Sequence, residues 1–176
     1  PPLNQVTIMA NHDSNRKGAV NQNETNSKAQ GRHVMTPEIR KIYCRQLVKV
    51  LLRHATEAEV LYMAAGLEGM GTVMTGRKYG AALVLEHQKR RDYCIQCIEV
   101  LSRHATPSQL NEISLALDLF VAKMLAENYR PGLNSAAYDI YCNCAMQERA
   151  INSLATKLLD RLQNSASRNG GHSDEK

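Results

Sequence analysis

Tyr43–Thr56 reads YCRQLVKVLLRHAT, and fifty positions later Tyr93–Thr106 reads YCIQCIEVLSRHAT, with nine of the fourteen residues identical. Two unrelated helices do not match like this. The chain therefore contains one helical unit used twice, and internal repetition of this kind decides architecture before any local pattern is weighed. In the first copy Cys44, Leu47, Val48, Leu51 and Ala55 recur at the spacing of one α-helical face. The second copy keeps that face with Cys94, Cys97, Ile98, Leu101 and Ala105. Lys49 becomes Glu99 and Leu52 becomes Ser102, which reads as drift at exposed positions.

Both copies end in Arg-His-Ala-Thr, and the chemistry of that ending is specific. Thr56 with Glu59, and Thr106 with Gln109, are capping boxes that open a new helix. Pro107 follows Thr106 at a position where a missing N–H costs nothing. Arg53, His54, Arg103 and His104 fall in the last turn of the preceding helices, where positive charge meets the negative end of the helix dipole. One helix thus closes and the next opens with almost no loop, and the sequence predicts this corner twice.

Outward from the corners, five helices are predicted. The first runs over about 37–55, with Thr36 as N-cap, and the third over about 81–105. A fourth, over about 107–128, is apolar around most of its circumference, which marks a helix surrounded by others or one that holds a face for a partner. The fifth covers about 135–163. The second runs from about Glu57 to Gly66 or onward, its extent left open by five glycines between Gly66 and Gly80, each lowering helix stability by up to ~1 kcal/mol against Ala. The fold class is all-α: a five-helix bundle holding a tandem repeat of a helix pair (about 43–74 and 93–124) and a long C-terminal helix. Residues 1–35 are polar and lack an apolar period, so they read as a disordered arm; 36–165 form the helical domain and 166–176 a disordered tail.

Composition bounds the function classes. The chain has 176 residues, one Phe and no Trp, and a formal net charge of +5, a surplus too mild to demand an acidic partner. No run of about 18 apolar residues suggests a membrane span, and the N-terminus lacks the layout of a secretory signal. Five cysteines, with Cys44, Cys94 and Cys97 on apolar faces, fit reduced thiols in a cytoplasmic protein better than a disulfide framework.

Three motifs invite chemistry and are better explained without it. Cys94-x-x-Cys97 with Cys142-x-Cys144 has the look of a four-cysteine zinc site, but residues two apart on a helix point about 200° from each other. Gly71-x4-Gly76-Arg77-Lys78 lacks the lysine, the hydroxyl residue and the preceding strand of a phosphate-binding loop. His54 and His104 recur, yet no nucleophile or carboxylate recurs beside them in a triad-like arrangement. No catalytic residue, cofactor or metal is assigned.

Basic residues remain. Arg40 and Lys41 align with Arg90 and Arg91 across the repeat, and Arg45, Arg77, Lys78 and Lys89 lie near them in sequence. A charge feature kept in both copies suits a two-fold set of phosphate contacts. The sequence-level expectation is a non-enzymatic, nucleic-acid-associated regulatory or accessory protein that binds DNA through these eight residues. It would act as a homodimer or with a protein partner held by apolar helix faces. The alternative is a protein-interaction module (adaptor, chaperone or secreted effector) with no nucleic-acid contact.

Overall fold

The structure, a computed structural model, describes residues 35–169 and the side chains of residues 35–167. The polar arm proposed for 1–35 lies outside the described residues apart from Met35, whose side chain is buried in the core. The described residues are helical, without strands: α1 is Pro37–His54, α2 Glu57–Thr75, α3 Ala81–Val84, α4 His87–His104, α5 Pro107–Glu127 and α6 Pro131–Asn169.

Local chemistry accounts for the boundaries. Thr36 caps α1 by accepting from the Ile39 amide. Thr56 and Thr106 each accept from the amide three residues on, and Glu59 and Gln109 reach back to the threonine amides, so both predicted capping boxes are formed. Nothing but a cap residue, Ala55 or Ala105, precedes each threonine, and the corner is built twice.

Two predicted helices differ in extent. The helix whose extent past Gly66 the sequence leaves open continues to Thr75, because Met63, Leu67 and Met74 are packed into the core cluster and tertiary burial outweighs the glycine penalty. It stops at Gly76, whose φ of 68° is the left-handed conformation that glycine enters without strain. The helix read as continuous from 81 breaks at Leu85 and Glu86, which are extended, so six helices stand among the described residues where five were predicted. The carbonyls exposed by that break are claimed by Arg90, whose Nε donates to Ala82 O (2.8 Å) and whose guanidinium donates to Leu85 O (2.6 Å). At the other end α6 starts at Pro131 and runs to Asn169, taking in residues 166–169 that the sequence assigned to the tail.

The repeat reappears in the packing as a pseudo-two-fold arrangement. Helices α1 and α4, the first members of the two copies, lie against each other; α2 packs on α4, and α5 packs on α1. Each second helix is therefore held mainly by the first helix of the other copy. Hydrogen bonds follow the same symmetry. Tyr43 Oη donates to Asp118 (2.6 Å) and Tyr93 Oη donates to Glu68 (3.1 Å), and both tyrosines and both acids are related by the fifty-residue offset. Beneath them the core matches position by position: Cys44 with Cys94, Val48 with Ile98, Leu51 with Leu101, Val60 with Leu110, Leu67 with Leu117 are all buried.

The symmetry ends at α6, which lies along α1 and has no counterpart of its length in the first copy. Its addition makes α1 the central helix, with Val50 and Leu52 buried as well as the repeated face. The apolar α5 is not surrounded by other helices, since Leu115 and Leu119 are exposed, which leaves the alternative of a face held for a partner. Leu52 and Ser102 are likewise both buried, against the expectation of surface drift; Ser102 satisfies its hydroxyl by donating to Ile98 O one turn back.

Candidate functional site

The eight basic residues proposed for phosphate contact are not one set. Arg91 closes the C-terminus of α1: its guanidinium donates to the carbonyls of Leu52 and Ala55, and its Nε donates to His87 Nε2. Arg90 closes α3 as described. Arg40 donates to Ser114 Oγ (3.1 Å) on α5. Arg45 bonds Lys41 O one turn back, while Lys41 pairs with Glu38 and Lys89 with Glu86 on their own helices. Arg77 and Lys78 are exposed on the segment after Gly76. The shared charge at 40/90 and 41/91 therefore carries unlike local bonding in the two copies, three of the four ends being tied to structural acceptors.

A second guanidinium, absent from the sequence reading, completes the α1 terminus. Arg130 donates to His54 O (2.9 Å) and to both carboxylate oxygens of Glu59 (2.8 and 2.7 Å). The Arg130 interaction, with the Thr56 amide, holds the Glu59 carboxyl below the usual carboxylate range. Glu148 plays the matching part at the α1 N-terminus. Its side chain is 1 % exposed and accepts from both the amide (3.1 Å) and hydroxyl (2.9 Å) of Thr36. The α6 helix is thus clamped to both ends of α1, near Pro131 and at Glu148.

The thiols and tyrosines serve the core. Cys44 and Cys94 are fully buried and burial pushes both up to about 12. The third buried cysteine is Cys144, while Cys97 is only half-buried. Among the described residues no group of three or more His, Cys, Asp or Glu is placed to share a metal ion. Burial, reinforced by the facing acids, raises Tyr43 and Tyr93, so both remain hydroxyl donors throughout the neutral range. Glu68, like Glu59, accepts three hydrogen bonds: besides Tyr93 it accepts from the amides of Ala81 (2.8 Å) and Ala82 (3.3 Å), anchoring the segment after Gly76.

Two surfaces stand out among the described residues. One is a cavity of about 170 Å³ between α2 and α4, edged by Gly71, Met74, Tyr79, Cys97, Val100 and His104. The other is the distal part of α6. After Glu148 no residue of the helix through 167 is buried, and Ile151, Leu154, Leu158, Leu159 and Leu162 stand 50–67 % exposed. Those residues occur at helical spacing on one side, and at about 1.5 Å per residue the stretch 149–169 is about 30 Å long. Among the described residues no helix is long and apolar enough to cross a membrane. No protein-family model matches the chain, and no curated protein or solved structure matches it either.

Proposed function

We propose that this chain is a non-enzymatic protein-interaction module whose binding element is the distal half of α6. One observation carries this: a single helix carries five large aliphatic side chains on one exposed stripe, past the first half whose Leu133, Ile140 and Cys144 are buried. A contiguous exposed apolar surface of that kind marks an interaction site, where scattered single residues would not. Burying each such side chain contributes about 1.5–3 kcal/mol before the costs of association. The recognition mode is a helix laid into a groove, read through anchors three and four residues apart. Five unpaired thiols suit a reducing compartment, in keeping with a cytoplasmic setting.

Nucleic-acid binding is the less supported reading on this geometry. Arg40, Arg90 and Arg91 direct guanidinium donors at Ser114 and at helix-end carbonyls, leaving Arg77, Lys78 and Lys89 as the exposed members of the set. Phosphate contacts make log affinity fall linearly with log salt, so a salt titration with duplex DNA separates the readings. The interaction reading is tested by size fractionation of the tagged chain in cell extract. The wild-type chain is expected to migrate above its own mass, and the Leu158→Glu/Leu162→Glu variant at its own mass with unchanged helicity. Migration of both at monomer mass refutes it.

A further inference from the structure

The pseudo-two-fold relation says what belongs in the open groove. In one half of the molecule α6 fills the space beside α1 and α5; the symmetry-related space beside α4 and α2 is the cavity. Val50, covered by α6, is 7 % exposed, whereas its counterpart Val100 on the cavity edge is 43 % exposed. Gly71 stands where the other copy has Val121, and the missing side chain enlarges the opening. His54 touches the start of α6 at Gly132, while its counterpart His104 lines the open groove.

The projecting half of α6 repeats the face that fills the occupied groove. Eighteen residues are five turns of an α-helix, so residues eighteen apart share a face. The buried docking residues Leu133, Ile140 and Cys144 map in this way onto Ile151, Leu158 and Leu162, while Ala136, Ala137 and Tyr141 map onto Leu154, Ala155 and Leu159. All five of the exposed aliphatic residues are accounted for by that mapping. The chain therefore carries two copies of a docking helix, end to end, and two copies of a groove, of which one helix copy and one groove are engaged with each other.

We infer that the distal half of α6 docks into the α2–α4 groove of a second copy of this chain. This rests on the interaction reading above and adds the partner and its site. Because the helix and the groove are different surfaces, the contact is heterologous and closes either when two copies exchange helices reciprocally or when several copies form a ring. Tyr79, on the segment between α2 and α3, borders the same groove.

Light scattering on the purified full chain at micromolar concentration reads the outcome, beside Val100→Glu and Leu158→Glu variants whose folding is checked by circular dichroism. Both positions are solvent-facing, so both variants are expected to fold and to run as monomers, while the wild type runs at twice the monomer mass or above. Mixing the two variants is expected to restore a complex of two chains and no more, since each supplies the surface the other lacks. If Leu158→Glu dissociates the chain and Val100→Glu does not, the helices pair with each other and the groove assignment is overturned. A monomeric wild type overturns self-association altogether. Should that purified monomer still migrate above its mass in extract, the interaction reading survives and only the identity of the partner is lost.

Discussion

Replacing Arg130 with methionine removes one guanidinium from two jobs and keeps most of the side chain's bulk. The jobs are the bidentate pair with Glu59 and the closure of His54 O at the end of α1. Side-chain exposures of 16 % for Arg130 and 13 % for Glu59 place the pair between a surface bridge, worth little, and a buried one. Hydrogen bonds to charged groups contribute about 1.5–3 kcal/mol each when sheltered. With part of that offset by water reaching the exposed edges, the loss comes to about 2 kcal/mol at neutral pH. The pH dependence is the sharper signature. Glu59 is held below the usual carboxylate range chiefly by its bonds to Arg130, so over the window beneath that range the unfolded chain binds more protons than the folded one. Stability from this group is therefore fully present above the ordinary carboxylate value and is lost as pH falls through the depressed folded value. Urea denaturation of wild type, Arg130→Met, Glu59→Gln and the double variant is the assay, at neutral pH and at the acid end of that window. The Arg130→Met loss is expected to shrink in acid to the part due to the His54 carbonyl, which does not titrate, and the two single losses are expected not to add. An Arg130→Met loss below about 0.5 kcal/mol, or one of equal size at both pH values, refutes the reasoning.

Three further outcomes follow from the same bonds. Tyr93→Phe is expected to lower stability by about 1–2 kcal/mol and Tyr43→Phe by about 1, because the first leaves the mostly buried Glu68 short of a donor while Asp118 is exposed to water; equilibrium denaturation checks both. Gly71→Ala is expected to stabilise α2 by about 0.5–1 kcal/mol, since a Cβ there meets only Tyr79 at 3.7 Å and Leu101 at 3.9 Å, whereas Gly76→Ala, at φ 68°, is expected to destabilise by about 1; opposite shifts in thermal midpoint are the readout. Glu148→Ala should cost about 2 kcal/mol by leaving the Thr36 amide and hydroxyl without their acceptor, and amide exchange in the first turn of α1 should rise with it.

Much of the local architecture could be read from residues alone, because helix caps act over three positions. Thr56 needs only Glu59, and Thr106 only Gln109, to announce a new helix. Distant partners left no such trace. Glu148 meets Thr36 across 112 positions and Arg130 meets Glu59 across 71, so nothing in the neighbourhood of either residue names its function. The basic residues misdirect for the same reason. Arg90 and Arg91 look like a solvent-facing pair on a helix, and only the folded chain brings the ends of α3 and α1 within their reach. One tertiary signal was available: Tyr43 and Tyr93, Glu68 and Asp118 keep the fifty-residue offset, an acid retained amid apolar neighbours in both second helices. A polar pair kept through a duplication is informative because an unpartnered buried acid is costly.

The duplication also explains why one site stands open. A two-fold arrangement makes two equivalent grooves, each lined by the first helix of one copy and the second helix of the other. The chain can continue after only one of its two second helices without interruption. After α2 it must return to begin α4 within a dozen residues, so Gly76 reverses it and the single turn of α3 is all that forms. After α5 no such demand exists, and α6 runs on, fills the groove beside α1 and keeps its apolar period for five more turns. Linear connectivity thus imposes the asymmetry on a symmetric core. The helix that the first copy has no room to build is presented at the far end of α6, too distant along a rigid rod to fold back onto its own molecule.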